Sequence, residues 1–387
     1  MRVLIAVPFY TPNIFGGAEI SSQIIAEGFA KLGHEVTVMT LGEINETIQN
    51  AGVEIVRIYD RISVSGWQRR LSKEKIGLPL KVALNWRALV VNKRMLTRYL
   101  DYFAVKQFDV AIINSNEDYM LRATLWEALK LSHIPTILTL RDYVLLERRL
   151  GPLLPLYNKI VQKQAGWFRY YAAPSQYTAK FHENAGYVMP QKRIIYNTVD
   201  MPCQNVGLKI RRVLYVGAIS PYKGVLTLLR ASDILHQRHG REAFELILIG
   251  RSDLPPEEIE NHDGVHVLSW MPREQVYQYM RESMAVVLPS EWPEPFGRVL
   301  IEAIYNGTLA VGSSAGAIPE LFDNDERYVF KEKSAEDLAR KIERIFCLND
   351  EDYKRETEAL QRKWEKFSVK QYVSEWEAYC IATQTNS

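Results

Sequence analysis

The sequence predicts an α/β protein of two doubly wound, parallel-sheet domains. Short apolar runs rich in β-branched residues alternate with longer mixed segments, the pattern of strands joined by crossover helices. The series stops near residue 140 and restarts after residue 210. With 387 residues, of which 47% are hydrophobic, the chain can bury two separate cores, and a single core is not expected.

In the first half the expected strands are VLIAVPF from Val3, EVTVMT from Glu35, VEIVRIY from Val53, DVAIIN from Asp109 and PTILTL from Pro135. In the second they are RVLYVG from Arg212, FELILIG from Phe244, VHVLSW from Val265, AVVLPS from Ala285 and TLAVGSS from Thr308. Between the halves, residues 194 to 210 mix Pro, Gly, Asn and Asp without a period and read as the linker. Near Ser368 a last helix begins. Val369, Tyr372, Val373, Trp376 and Cys380 form one apolar stripe that must be covered, and the helix is expected to return to the first domain. The expected domains are therefore 1–199, joined by the helix 368–387, and 200–367.

A net charge of +2 gives no electrostatic argument for a nucleic-acid partner. Cys203, Cys347 and Cys380 are widely spaced and odd in number, which fits reduced thiols in a cytoplasm better than a disulfide framework or a structural zinc. The apolar run at the N-terminus is too short for a signal peptide, and no stretch approaches the length of a membrane span. The seven histidines make no ligand cluster, so no metal is implied.

The segment PSEWPEPFGRVLIEAIYNGTLAVGSSAGAIPE, residues 289 to 320, sets a strand end, a Pro-rich loop, a helix and another strand in sequence. Pro295 favours an extended Glu294, and a helix starting near Gly297 leaves the amides of Gly297, Arg298 and Val299 without intrahelical partners, which suits an anion. Glu294 and Glu302 would stand roughly 12 Å apart if the span were helical, too far for a glycosidase carboxylate pair. Two ends of one extended ligand suit the spacing better.

The run E-P-F-G-x-V-x-x-E from Glu294 to Glu302, followed by Gly307-Thr308 and by G-x-I-P-E from Gly316, resembles the signature of the retaining GT-B glycosyltransferases of the family 4, group 1 type, which include glycogen and sucrose-phosphate synthases. The resemblance implies a GT-B fold, two Rossmann-like domains facing across a cleft, and transfer from a nucleotide sugar with retention of configuration and without a metal. It implies that Glu294 meets the donor-sugar hydroxyls, that the backbone of Phe296, Gly297, Arg298 and Val299 holds the phosphates, and that Glu302 bonds the ribose. The opening strand, loop and helix also resemble the family's. There Gly16 and Gly17 would let the backbone approach the donor.

RVLYVGAISPYKGVLTLL is similar to the first strand and loop of the family's nucleotide-binding domain, which makes Lys223 the cation facing the diphosphate. Ala218 stands where an arginine is usual, and Arg298 is offered as a substitute charge. Met271 stands where the backbone reads the nucleobase. Arg141 occupies the place of a histidine near the donor sugar, where it acts by charge or pairs structurally beside Asp142; a guanidinium cannot serve as a base. Ser175 and Asn197 also sit at family-like strand ends, as caps or contacts. Glu294, Lys223 and Arg141 are thus the catalytic candidates. Asp323 and Asp325 form a D-x-D in an exposed turn and are set aside as metal ligands.

Residues 61 to 98 carry ten Arg or Lys against one acid, Glu74, together with Trp67 and Trp86. A helix from about Lys81 to Leu100 would place Val82, Trp86, Leu89, Leu96 and Leu100 on one face and Arg87, Arg94 and Arg98 opposite. That is either a peripheral membrane face at the inner side of the membrane or a core-facing helix with a solvated basic back. The expected partners are a UDP- or GDP-sugar donor, as substrate rather than cofactor, and a saccharide or lipid-linked acceptor. A nucleotide-sugar epimerase of the same fold and a non-catalytic binding subunit are the alternatives.

Overall fold

The computed structural model describes residues 1–12, 17–60, 89–114, 122–143 and 154–385. It divides into two compact units, Met1–Tyr196 with Tyr372–Ser387, and Asn197–Gln371. The first division falls three residues before the expected 199, inside the aperiodic linker; the second falls inside the last helix.

Unit 1 begins with β1 (Arg2–Ala6), α1 (Gly17–Lys31), β2 (Glu35–Leu41), β3 (Glu46–Asn50) and β4 (Val53–Ile58). It continues with α2 (Lys93–Lys106), β5 (Val110–Ile113), α3 (Arg122–Leu131), β6 (Thr136–Thr139), α4 (Leu154–Ala165), β7 (Tyr170–Ala173), α5 (Gln176–Asn184) and β8 (Gln191–Ile194). The sheet order is β3-β4-β2-β1-β5-β6-β7-β8, parallel except for β3, which pairs antiparallel with β4. All described residues of β1 beyond Arg2, and all of β5, β6 and β7, are buried, as strands covered on both faces must be.

The expected helix from Lys81 to Leu100 requires correction. Its part before residue 89 lies outside the described residues, as do Trp67 and Trp86. Downstream, Asn92 is extended and its side chain accepts a hydrogen bond from the Met95 amide, so a new helix starts at Lys93. Asn92 is a strong N-cap, and capping there breaks the continuous stripe. The buried face of α2 is Met95, Tyr99 and Phe103, with Leu96 and Leu100 packed partly against the core and Arg94 and Arg98 exposed.

Unit 2 contains β9 (Ile210–Val216), α6 (Val225–His239), β10 (Glu245–Ile249), α7 (Glu257–Glu260), β11 (Val265–Leu268), α8 (Arg273–Glu282) and β12 (Ser283–Leu288). There follow α9 (Arg298–Tyr305), β13 (Leu309–Ser313), α10 (Ile318–Leu321), β14 (Val329–Phe330), α11 (Ala335–Phe346) and α12 (Asp350–Lys363). Its sheet is wholly parallel, in the order β11-β10-β9-β12-β13-β14. That is the doubly wound order in which strand progression reverses between β9 and β12, opening a crevice at their carboxyl ends.

The last helix, α13 (Val369–Thr385), buries Tyr372, Val373, Trp376, Tyr379 and Cys380. It covers unit 1: the Tyr379 hydroxyl donates to the Gln191 carbonyl at 2.7 Å and accepts from the Tyr171 amide at 3.2 Å, and His34 meets Glu377 at 2.7 Å. The apolar stripe supplies the burial, and these polar contacts fix the register. Among the described residues no helix is long and apolar enough to cross a membrane.

Candidate functional site

The two loops at the reversal point of unit 2 carry the residues that the sequence singles out. After β9 the chain forms a short 3-10 turn, Pro221–Lys223, and Gly224 then caps α6 with φ +73°. A Cβ on Gly224 would lie 1.8 Å from the carbonyl oxygen of Pro289, so only glycine lets this loop meet the end of β12. The contact is extended by hydrogen bonds from the amides of Glu291 and Trp292 to the Tyr222 carbonyl, at 3.0 and 2.9 Å, and from the Thr227 hydroxyl to Glu291 at 2.8 Å.

Within this frame Lys223 Nζ lies 2.7 Å from Glu294 Oε1, and the Ser290 hydroxyl donates to the same oxygen at 2.6 Å. Both charged side chains are largely buried, with 25% and 13% of their surface exposed. On its other side the Glu294 backbone is met by the loop after β13. The Ala317 amide donates to the Glu294 carbonyl at 2.8 Å, and a Cβ on Gly316 would fall 2.3 Å from the Glu294 nitrogen. The glycine of G-x-I-P-E is therefore a requirement of close approach to the glutamate loop.

Gly297, at φ 98°, caps α9 without a side-chain hydrogen bond to the first turn. Phe296 turns inward and packs edge-on against Phe367. Val299 lies in the first turn, and one turn further Glu302 is 14% exposed and accepts from Arg273 Nη2 at 2.8 Å. Arg298 Nη2 stands 3.8 Å from the same Glu302 oxygen. The Ala218 carbonyl accepts from the Tyr215 hydroxyl at 2.5 Å. Burial, and after it the charge of Glu294, hold that phenol above its ordinary range, so it remains a donor.

Met271 lies in the loop between β11 and α8, half-buried, two residues before Arg273. Sequence reasoning missed Arg273 and Ser290. Arg273 follows Pro272 in the segment assigned to the base, but nothing in a linear reading shows that it reaches Glu302, 29 positions away. Ser290 lies four residues before Glu294 in the motif itself.

Arg141 belongs to unit 1. Its Nε donates to Asn114 Oδ1 at 2.8 Å, its Nη2 to the Tyr372 hydroxyl at 2.7 Å, and its guanidinium lies 5.8 Å from the centre of the Trp376 ring. Asn114, fully buried at the end of β5, reaches Ser22 at 2.6 Å and the Ala18 carbonyl at 3.1 Å. Arg141 thus ties α13 to the carboxyl ends of β5 and β6 and to the first turn of α1. Gly17 is the first residue of α1; Gly16 lies outside the described residues. Ser175 caps α5, its hydroxyl accepting from the Thr178 amide at 3.0 Å. Asp323 meets Lys363 at 2.9 Å and Asp325 meets Arg327 at 2.6 Å, so each carboxylate of the D-x-D is engaged by a cation. Among the described residues no three His, Cys, Asp or Glu converge as a metal site.

Two Rossmann-like units, one with a lysine–glutamate pair and a helix start at its topological switch point, define a doubly wound α/β protein of two domains. Comparison with known proteins narrows the class. The family described as "Glycosyl transferases group 1" matches residues 204–364, and "Glycosyltransferase Family 4" matches residues 15–201. The chain belongs to the family 4, group 1 glycosyltransferases, with the GT-B fold. It is 26% identical, over 83% of its length and 87% of the relative, to an uncharacterized 42.6 kDa protein in the cps region of Klebsiella pneumoniae. It is 22% identical to an uncharacterized glycosyltransferase of Methanocaldococcus jannaschii, over 89% of each. Among solved structures, the sucrose-phosphate synthase of Thermosynechococcus elongatus covers 100% of both chains at 18% identity and a TM-score of 0.70. Anabaena HepE in complex with UDP covers 99% of this chain and 100% of its own, at 17% identity and a TM-score of 0.68.

Proposed function

We propose that this glycosyltransferase moves a hexosyl unit from a UDP- or GDP-sugar to a hydroxyl of a saccharide or lipid-linked acceptor, with retention of configuration and without a metal. The observation that carries the reading is the Lys223–Glu294 pair, 2.7 Å apart at the switch point beside the start of α9. Lys223 and the first-turn amides of α9 supply positive charge where a diphosphate would sit. Glu294, held by Lys223 and Ser290, offers acceptor oxygens to donor-sugar hydroxyls, and Glu302, oriented by Arg273, offers the same to the ribose. HepE, solved with UDP and with UDP-glucose, supports a uridine donor. A Bacillus subtilis relative, 28% identical over 143 residues, is named as a putative teichuronic acid biosynthesis glycosyltransferase, which supports a saccharide acceptor.

In the transfer the bond from the anomeric carbon to the diphosphate oxygen breaks, and its electron pair leaves with the nucleoside diphosphate. The acceptor oxygen forms the new bond on the same face, and its proton passes to the departing phosphate oxygen. No enzyme nucleophile is needed for retention on that path. Lys223 and the amides of α9 stabilise the charge that develops on the leaving group. The Lys223–Glu294 pair must loosen as the donor enters, since each partner exchanges its contact for one to the ligand.

Calorimetry with UDP, GDP and ADP, each with and without EDTA, tests the donor side. The expected result is EDTA-insensitive binding of one uridine or guanosine nucleotide, with Glu294→Gln keeping nucleotide affinity but losing transfer by about 2–4 kcal/mol of barrier, or 30- to 1000-fold. Binding that disappears with EDTA, or wild-type transfer by Glu294→Gln, would overturn the assignment.

A further inference from the structure

The end of unit 2 opposite the switch point carries a lysine that the donor chemistry does not use. Lys209 stands just before β9. Because β9, β12 and β13 run parallel, it lies at their amino ends, roughly 20 Å from the carboxyl ends that carry Lys223 and Glu294. Its Nζ donates to the Arg281 carbonyl, in the last turn of α8, at 2.7 Å, and to the Thr308 hydroxyl oxygen at 2.7 Å. That hydroxyl in turn donates to the Met280 carbonyl at 2.5 Å. Capping α8 in this way uses two of the three N–H groups of an ammonium. Among the described residues no carboxylate pairs with it, and burial lowers its pKa to about 7. A cation drawn out of water without a counter-charge is costly unless an anion repays the lost hydration.

Lys209 lines a cavity of about 400 Å³, to which Lys354 brings a second ammonium. Leu208, Met284, Leu348 and the Tyr353 ring give it apolar walls, and Lys209 Nζ lies 5.7 Å from the centre of that ring. Asp350 also borders it, as the first residue of α12, where the helix start favours a negative charge. We propose that this cavity binds a small organic anion, its oxyanion head against Lys209 and Lys354 and an apolar body of one or two rings between Leu208, Met284 and Leu348. The volume falls in the range of small-molecule sites. Inorganic phosphate would meet the lysines and leave the apolar walls uncovered, and a neutral body would leave Lys209 without a counter-charge. A second copy of the chain is disfavoured, since a two-fold interface here would set two lysines against two lysines. A carboxylate and a phosphate head share this chemistry, and the experiment separates them.

The test is calorimetry of the full chain with 1-naphthoate, 1-naphthyl phosphate and the neutral 1-naphthalenemethanol. At least one of the two anions should bind, with the alcohol about tenfold weaker or more, and the preference between the anions identifies the head. Lys209→Met should weaken the anion by about ten- to hundredfold, and Lys354→Met, at an exposed position, by about two- to fivefold. Lys223→Met should leave the anion constants unchanged, which separates this cavity from the switch point. At pH 8, binding should take up as much as about one proton, measured in buffers of different ionisation enthalpy, and the uptake should vanish in Lys209→Met. The charged and titratable groups around Lys209 are Asp350, Tyr353 and Lys354 on α12, Arg281 on α8, which turns to Glu274 at 3.0 Å, and Arg211 on β9, which lies 5.3 Å from the Phe346 ring centre. Should Lys209→Met fail to fold, Leu208→Asp decides, since Leu208 is 93% exposed at the cavity wall. A carboxylate there should weaken the anion by about two- to fivefold at an unchanged Tm. Equal binding of the alcohol and the anions, or no binding of either anion up to about 1 mM, would overturn the site. So would an anion constant within twofold of wild type in Lys209→Met, or binding lost in Lys223→Met. A dimer in sedimentation that Leu208→Asp separates would give this face to a second copy and overturn it as well.

Discussion

Replacing Arg273 by Gln tests the proposed ribose contact of Glu302. Glu302 Oε1 accepts from Arg273 Nη2 at 2.8 Å, while Arg298 stands 3.8 Å away on the same oxygen. A hydrogen bond between charged groups contributes about 1.5–3 kcal/mol net. Arg273 is 42% exposed and Glu302 14%, so solvent screening places this pair at the low end. Arg298 continues to restrain the carboxylate after the substitution. The expected loss of nucleotide affinity is therefore about 1–1.4 kcal/mol, a five- to tenfold rise in Kd. If the loss acts through Glu302 on the ribose, it should be small for the 2′-deoxy nucleotide, and the ratio between ribo and deoxy ligands should narrow toward that of Glu302→Ala. Calorimetric titration of wild type, Arg273→Gln and Glu302→Ala with both ligands gives the comparison. A Kd within twofold of wild type for the ribonucleotide would refute the orienting role of Arg273. An equal loss for ribo and deoxy ligands in Glu302→Ala would refute the ribose contact itself.

Three further outcomes follow from the packing. Gly224→Ala places a Cβ within 1.8 Å of the Pro289 oxygen at a φ of +73°, so the loop must withdraw; we expect at least about 1–2 kcal/mol of lost stability and weaker nucleotide binding, read as a lower Tm and a raised Kd. Arg141→Gln should raise hydrogen exchange across residues 372–385, because bonds to Asn114 and Tyr372 are lost, whereas unchanged exchange with a fallen kcat would make Arg141 a residue of the reaction instead. His182 is fully buried, donates from Nδ1 to the Thr178 carbonyl at 2.9 Å, and has its pKa lowered by burial to about 4. The unfolded chain takes up that proton near pH 6.5, so the contribution of neutral His182 is complete above pH 6.5 and fades as pH falls toward 4, by about 3 kcal/mol in all. His182→Leu should flatten the fall of Tm across that window, and an unchanged slope would count against it.

Much of the architecture was legible in the chain because parallel strands buried on both faces must be continuous apolar runs. RVLYVG, FELILIG and AVVLPS announce themselves in that way without reference to partners. The edge strand β3, ETIQN, carries no such run, since an antiparallel edge strand needs no apolar residues on its open side, and it went unread. The stripe of α13 was visible as spacing, while its seat on unit 1 is set by tertiary contacts such as those of Tyr379 with Gln191 and Tyr171. The helix expected from Lys81 failed because a local cap at Asn92 outweighs an apolar pattern that runs through it.

At the site, the sequence by itself determined the residue types and their order: Lys223 in its loop, Glu294 and Glu302 eight residues apart, and the glycines at 224, 297 and 316. These are local requirements of turns, helix starts and close approaches, and they leave a local trace. Only the tertiary structure decided who meets whom. It brought Lys223 to Glu294 across 71 positions, gave Glu302 to Arg273, and turned Arg141 toward Asn114 and Tyr372. For the Lys223–Glu294 pair the physical reason is the doubly wound order, which sets β9 beside β12 and so joins loops far apart in sequence at the carboxyl ends of the central strands. A pairing made by strand order leaves no period or spacing in the chain from which it could be read.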